Sequence, residues 1–159
     1  MQVLDYIEDS YCSVRRFNNI AQNLENVDHE SVHKQLQFIK EELDETFDAY
    51  HFENEVELLD GAVDLWVTVA GLLQKLEASG FNVAEAMHRV DVNNLSKFPS
   101  YDLSKGVEGI AVHQPPESQP YLMTAYDVIV FKNANGKIMK PTTFKPVDLS
   151  DMAIGFFKE

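Results

Sequence analysis

Apolar residues in the first hundred positions recur three and four apart, the period of one buried helix face. Val3, Ile7, Val14, Phe17 and Ile20 predict a first helix over residues 3–24. Leu36, Ile39, Leu43 and Phe47 form one stripe of a second helix, which Asp28 or a neighbour caps and which runs to about residue 50. A third helix begins near Asn54 and stops at Gly80, a residue suited to the left-handed turn that closes helices. Its apolar positions, from Val56 through Trp66 to Leu73, lie nearly all round the axis, so it is expected to be buried on most sides. Asn82, with Glu85 three residues on, has capping-box spacing and opens a fourth helix reaching about residue 97. Pro99 closes it.

Beyond Pro99 the pattern changes. Prolines at 99, 115, 116, 120, 141 and 146 exclude a long helix. Residues 126–131 (YDVIVF) are rich in β-formers, and Gly136 supplies a turn before residues 137–144, so one hairpin is expected there, with residues 106–120 as a loop. The resulting fold class is mainly α: a four-helix bundle over residues 1–98, then a loop and β-hairpin extension over residues 99–159.

The charged positions carry the chemistry. At 100° per residue, Glu57, Asp60, Asp64 and Thr68 share one stripe of the third helix, flanked by Gly61 and Gly71. Carboxylates stacked on one line of a buried helix lose hydration and repel one another unless a partner compensates. Of the lysines only Lys75, a further turn along, is placed to pair with them. On the second helix Glu42 and Glu45 point away from the apolar stripe, toward a side shared with Phe38, Ala49 and Phe52, and Glu41 sits at its edge. Two such acidic faces suit a divalent cation with oxygen-only ligands, Mg²⁺ or Mn²⁺ rather than zinc, because no His or Cys joins them. The plainer alternative is a solvated acidic face. Glu30/His33 and Glu85/His88 have the Glu-x-x-His spacing of di-iron bundles, but both pairs fall off the acidic side and read as surface or cap residues. There is no Walker-type glycine loop and no nucleophile–base pair; Cys12 reads as a packed residue.

A formal net charge of −13 is the opposite of the cationic surface that nonspecific grip on DNA or RNA requires. It permits a small nucleotide, provided divalent metal stands between acidic side chains and phosphates. Residues 28–64 set only Lys34 and Lys40 against their acids, whereas Lys132, Lys137, Lys140 and Lys145 come late, the order of an acidic metal floor and a basic flap. No apolar run reaches the about 18 residues of a membrane span. The opening MQVLDYIEDSYC lacks the basic-then-apolar order of a secretion signal, and one cysteine excludes an internal disulfide framework. A cytoplasmic protein is expected.

Glu41-Glu42-Leu43-Asp44-Glu45 on one helix and Glu57-Leu58-Leu59-Asp60 on the next resemble the EExxE and ExxD motifs of MazG-like and dimeric dUTPase-like pyrophosphohydrolases. Asp64, Asn94-Leu95-Ser96-Lys97, and the set Gly136, Lys137, Lys140, Phe144, Pro146, Asp148 and Leu149 are similar to features of one MazG-like subgroup. The resemblance covers about residues 28–98 and 135–149; residues 101–125 have no counterpart in it. It implies a Mg²⁺-dependent enzyme that hydrolyses (deoxy)nucleoside triphosphates to monophosphate and pyrophosphate, clearing a nucleotide pool. It implies Glu42, Glu45, Glu57, Asp60 and Asp64 as metal ligands, with Glu41, Glu45 and Asp64 orienting or deprotonating water. Asn94, on the inward side of the fourth helix, would contact the nucleotide, and Lys97 and Lys140 the phosphates. Phe38, Phe52 or Trp66 are aromatics available to stack on the base, Trp66 being better suited to the core. The implied assembly is a homodimer or a dimer of dimers. Phosphoribosyl-ATP, dUTP and dCTP stay open as substrates, and a nucleotide-binding sensor or a helical interaction module without rapid turnover stay open as other classes.

Overall fold

Asp28 and Asn54 decide where two of the long helices begin. In the computed structural model, which describes residues 3–101 and 106–157, the Asp28 carboxylate accepts from the Ser31 amide at 2.8 Å. The Ser31 hydroxyl takes the Asp28 amide in return, closing a capping box. Asn54 accepts from the Glu57 amide at 3.3 Å. The elements in order are α1 (Val3–Ile20), α2 (His29–His51), α3 (Glu55–Ala78), α4 (Val83–Leu95), α5 (Gly106–Ala111), β1 (Gln119–Met123) and β2 (Val128–Lys132). The fold is mainly helical with a small two-stranded antiparallel hairpin toward the C-terminus.

Helix ends follow local chemistry. Gly80 has φ +97°, and the Phe81 amide reaches back to the Leu76 carbonyl at 3.1 Å, the Schellman closure of α3. The first helix stops short of the expected residue 24, because Asn23 turns both its amide and its side chain onto Asn18. Residues 106–120 are not all loop; they include the short α5.

The chain forms two compact units, residues 1–83 with 152–159, and residues 84–151. In the first, α3 packs against α2 and, less extensively, α1. The α1–α3 contact is polar at its centre: fully buried Gln74 accepts from Asn18 at 3.0 Å and donates to the Tyr11 carbonyl at 3.0 Å. Trp66 donates from Nε1 to Ser10 at 3.1 Å, so it belongs to this packing. The segment after Met152 returns to the same unit, where Phe156 meets the rings of His29 and Phe81.

The apolar faces differ from the expected burial. Val14, Val32, Ala49 and Ala70 are the buried apolar residues of this unit among those described. Leu36, Leu43 and Phe47 are exposed, while the close approaches of α2 to α3 are made by Gln35 and Thr46. Nor is α3 buried on most sides: Val56, Leu59 and Val63 are 75%, 69% and 51% exposed, since two helices cannot surround a third.

In the second unit the hairpin pairs Gln119 with Lys132 and Met123 with Val128. The expected partner was the stretch after Gly136, but that stretch contributes one bridge, Ile138 to Lys132, with the Met139 amide on the Phe131 carbonyl at 2.8 Å. Pro141, without an N–H, cannot extend that pairing. Tyr126 and Asp127 form the turn rather than strand, Asp127 having φ +52°. Ile129 and Phe131 are completely buried. Arg89 on α4 ties down the tail through Asp151 at 2.7 Å and the Asp148 carbonyl at 3.4 Å, while Asn93 holds the Lys145 carbonyl at 2.6 Å. Among the described residues no helix is long and apolar enough to cross a membrane.

Gln74→Leu should destabilise the chain by about 1–3 kcal/mol, because the Tyr11 carbonyl and Asn18 amide lose their buried partner. The shift of the urea midpoint at constant slope measures it; an unchanged midpoint would mean the network contributes nothing.

Candidate functional site

Two glycines mark where the acidic helices face each other, and Gly61 is the closer approach. A Cβ at Gly61 would stand 2.6 Å from Thr46 Oγ1 and 3.3 Å from Thr46 Cα, and one at Gly71 would stand 3.0 Å from Gln35 Nε2. The pairing 46 with 61 and 35 with 71 makes α2 and α3 antiparallel. Glycine inside a helix costs about 1 kcal/mol relative to alanine, so Gly61 is placed for the close crossing and against local propensity. Thr46 donates its hydroxyl to the Glu42 carbonyl at 2.7 Å, one turn back along α2.

Beside this crossing the carboxylates gather. Partial burial pushes the Glu42 carboxyl above the usual range, and the charges of Asp64, Glu45, Glu41 and Asp60 push it further. Glu42 and Asp64 are half-buried, and Glu41, Glu45 and Asp60 are exposed. Glu57, in the first turn of α3, is not among the charges acting on Glu42. Thr68 returns its hydroxyl to the Asp64 and Leu65 carbonyls. Phe38 and Phe52 are exposed on the side of α2 that carries Glu45.

Basic residues nearby are engaged elsewhere. Lys75, which the sequence places one turn beyond the stripe, is 6% exposed and donates to the Asn23 carbonyl at 3.1 Å. Burial pushes its ammonium below the usual range. Lys40 pairs with Asp44, which raises its pKa. Among the described residues, no ion pair involves Glu41, Glu42, Glu45, Glu57, Asp60 or Asp64. No three His, Cys, Asp or Glu side chains of the described residues are drawn together as a ready cage for a metal ion. The donor set is nonetheless oxygen-only and makes no ion pair among the described residues, the chemistry that suits a hard divalent cation.

The nucleotide-contact candidates of the tail lie in the second unit. Lys97 donates to the Asn94 side chain at 2.8 Å, so the two act as one polar pair at the end of α4. Lys140 sits 4.9 Å above the Phe144 ring. Asp148 accepts from the Ser150 amide at 2.9 Å, which holds its carboxyl below the usual range. That end of the late motif therefore seats the tail on α4. Between the two lies a cleft of about 530 Å³, with His88, Asn93, Ser96 and Lys145 in its walls, which sequence reasoning did not find because its walls come from segments about 50 residues apart. Thr46 was also missed; a hydroxyl between Glu45 and Phe47 gives no sign of its partner until Gly61 is opposite it.

No protein-family model, curated protein or solved structure matches the chain.

A raised carboxyl pKa reverses the usual acid dependence. Glu42 holds its proton to higher pH folded than unfolded, so its contribution to stability grows as pH falls through the raised value and is lost as pH rises. Glu42→Gln should therefore raise the melting temperature of metal-free protein at neutral pH and remove the melting-temperature rise on adding Mg²⁺. A lowered melting temperature in EDTA would contradict the assigned repulsion.

Proposed function

We propose that the chain is a divalent-cation-dependent nucleoside triphosphate pyrophosphohydrolase, resembling the MazG-like enzymes, that releases monophosphate and pyrophosphate. The observation that carries this reading is the half-buried Glu42 carboxyl confronted by Asp64, Glu45, Glu41 and Asp60 with no ion-paired lysine or arginine among the described residues. Glu42, Glu45, Asp60 and Asp64 would hold Mg²⁺ or Mn²⁺, with Glu57 as a further ligand from the first turn of α3. When bound, the cation supplies neutralisation of phosphate charge and Lewis acidity. Glu41, Glu45 or Asp64 would orient water and accept its proton for attack at the α-phosphorus. Asn94 would contact the nucleotide, Lys97 and Lys140 would stabilise charge on the departing pyrophosphate, and Phe38 would stack on the base.

The exposed apolar faces of α1, α2 and α3 support a second part of the proposal, a homodimer or dimer of dimers. Phe17, Leu36, Phe47, Val56 and Leu59 are each 48% to 75% exposed, apolar surface that a partner copy would cover. The same faces favour the interaction-module alternative.

A panel of canonical and modified nucleotides, incubated with Mg²⁺, Mn²⁺ or EDTA, separates the readings. Equimolar monophosphate and pyrophosphate, formed with metal only, is the expected result. Glu45→Ala and Asp60→Ala should each lower kcat by at least about 100-fold while leaving helical content intact. Intact protein silent on the whole panel would overturn the enzyme reading in favour of a sensor or an interaction module.

A further inference from the structure

We infer that Gly61 and Thr46 are the positioning pair of the acidic site: their contact sets how far the carboxylates of α2 lie from those of α3. The inference rests on the cation-site reading above and adds the residues that set its geometry.

The contact is as close as helix packing allows. Any side chain at Gly61 would meet the Thr46 hydroxyl at 2.6 Å and backbone at 3.3 Å, so even alanine forces the helices apart or rotates one of them. Thr46 cannot swing freely aside, because its hydroxyl is engaged by the Glu42 carbonyl at 2.7 Å. The cluster straddles this point: Glu42 and Glu45 precede Thr46 on α2, and Asp60 and Asp64 bracket Gly61 on α3. A displacement here moves the two acidic rows relative to each other directly. The other glycine makes a matched contrast. A Cβ at Gly71 would meet the far end of a flexible side chain, Gln35 Nε2 at 3.0 Å, about two turns along α2 from Glu42. Gln35 is itself tied to the Thr68 carbonyl at 2.9 Å, so a Gly71 substitution disturbs packing and one hydrogen bond without moving the acidic rows.

Binding of Mn²⁺, read from the free-ion electron paramagnetic resonance signal, tests this without any substrate. Gly61→Ala should bind Mn²⁺ at least about 10-fold more weakly than the unsubstituted chain, as loss of an orienting contact around metal ligands does. Thr46→Ala combined with Gly61→Ala removes the clashing hydroxyl and should recover most of that loss. Gly71→Ala should lower the melting temperature and leave Mn²⁺ affinity unchanged, which separates positioning from general destabilisation. If Gly61→Ala does not fold, Thr46→Met enlarges the same contact from α2 and is read in its place. Equal affinity in Gly61→Ala and the unsubstituted chain would overturn the positioning role alone, as would an equal loss in Gly71→Ala. No Mn²⁺ binding by the unsubstituted chain would overturn the cation-site reading, and the positioning role with it.

Discussion

Like charges on two helices that cannot separate are the constraint around which this chain is arranged. α2 and α3 are held together by a contact that leaves no room for a Cβ at Gly61, and that contact lies among Glu42, Glu45, Asp60 and Asp64. Elsewhere on the surface such carboxylates would point into water and cost little. Here Glu42 is half-buried, feels four other acids, and is in no ion pair among the described residues. Lys40, two residues before Glu42, pairs with Asp44, and relief of the repulsion needs another source. Binding of divalent cations is the proposed one, since repulsion in the metal-free state is relieved when a doubly positive ion arrives.

The thin core of the first unit points the same way as the proposed assembly. Its α1–α3 contact relies on the amides of Asn18 and Gln74 as much as on apolar packing, and α2 meets α3 through small and polar residues. The long apolar side chains, Leu36, Leu43 and Phe47 among them, are left outward. Burying one such side chain contributes about 1.5–3 kcal/mol before the cost of association, so self-association along these faces would add to a thin core.

The fold was readable wherever a local signal acted alone. Asp28, Asn54 and Gly80 mark helix ends through their own backbone and side-chain chemistry, and the structure places the ends there, whereas α4 ends at Leu95, four residues before Pro99. The hairpin was legible in kind but not in pairing, because residues 119–123 contain Pro120 and carry little strand signal until β2 lies beside them. Burial was the larger miss. Periodicity identifies an apolar face but not what covers it, so the stripe from Leu36 to Phe47 was assigned to the core of a single chain when it faces outward. For the site, helical phase grouped Glu41, Glu42, Glu45, Asp60 and Asp64, and the charges of the other four do act on Glu42, whereas that of Glu57 does not. What phase could not show was how close the helices come, because that depends on Thr46 opposite Gly61, a pairing between residues fifteen positions apart in sequence.

Anomalous X-ray diffraction from crystals soaked in Mn²⁺ tests the central claim most directly, because it locates the cation independently of turnover. Anomalous peaks between α2 and α3, coordinated by Glu42, Glu45, Asp60 and Asp64, are the expected result. Crystals saturated with Mn²⁺ that show no peak there, with these carboxylates turned to solvent, would contradict it.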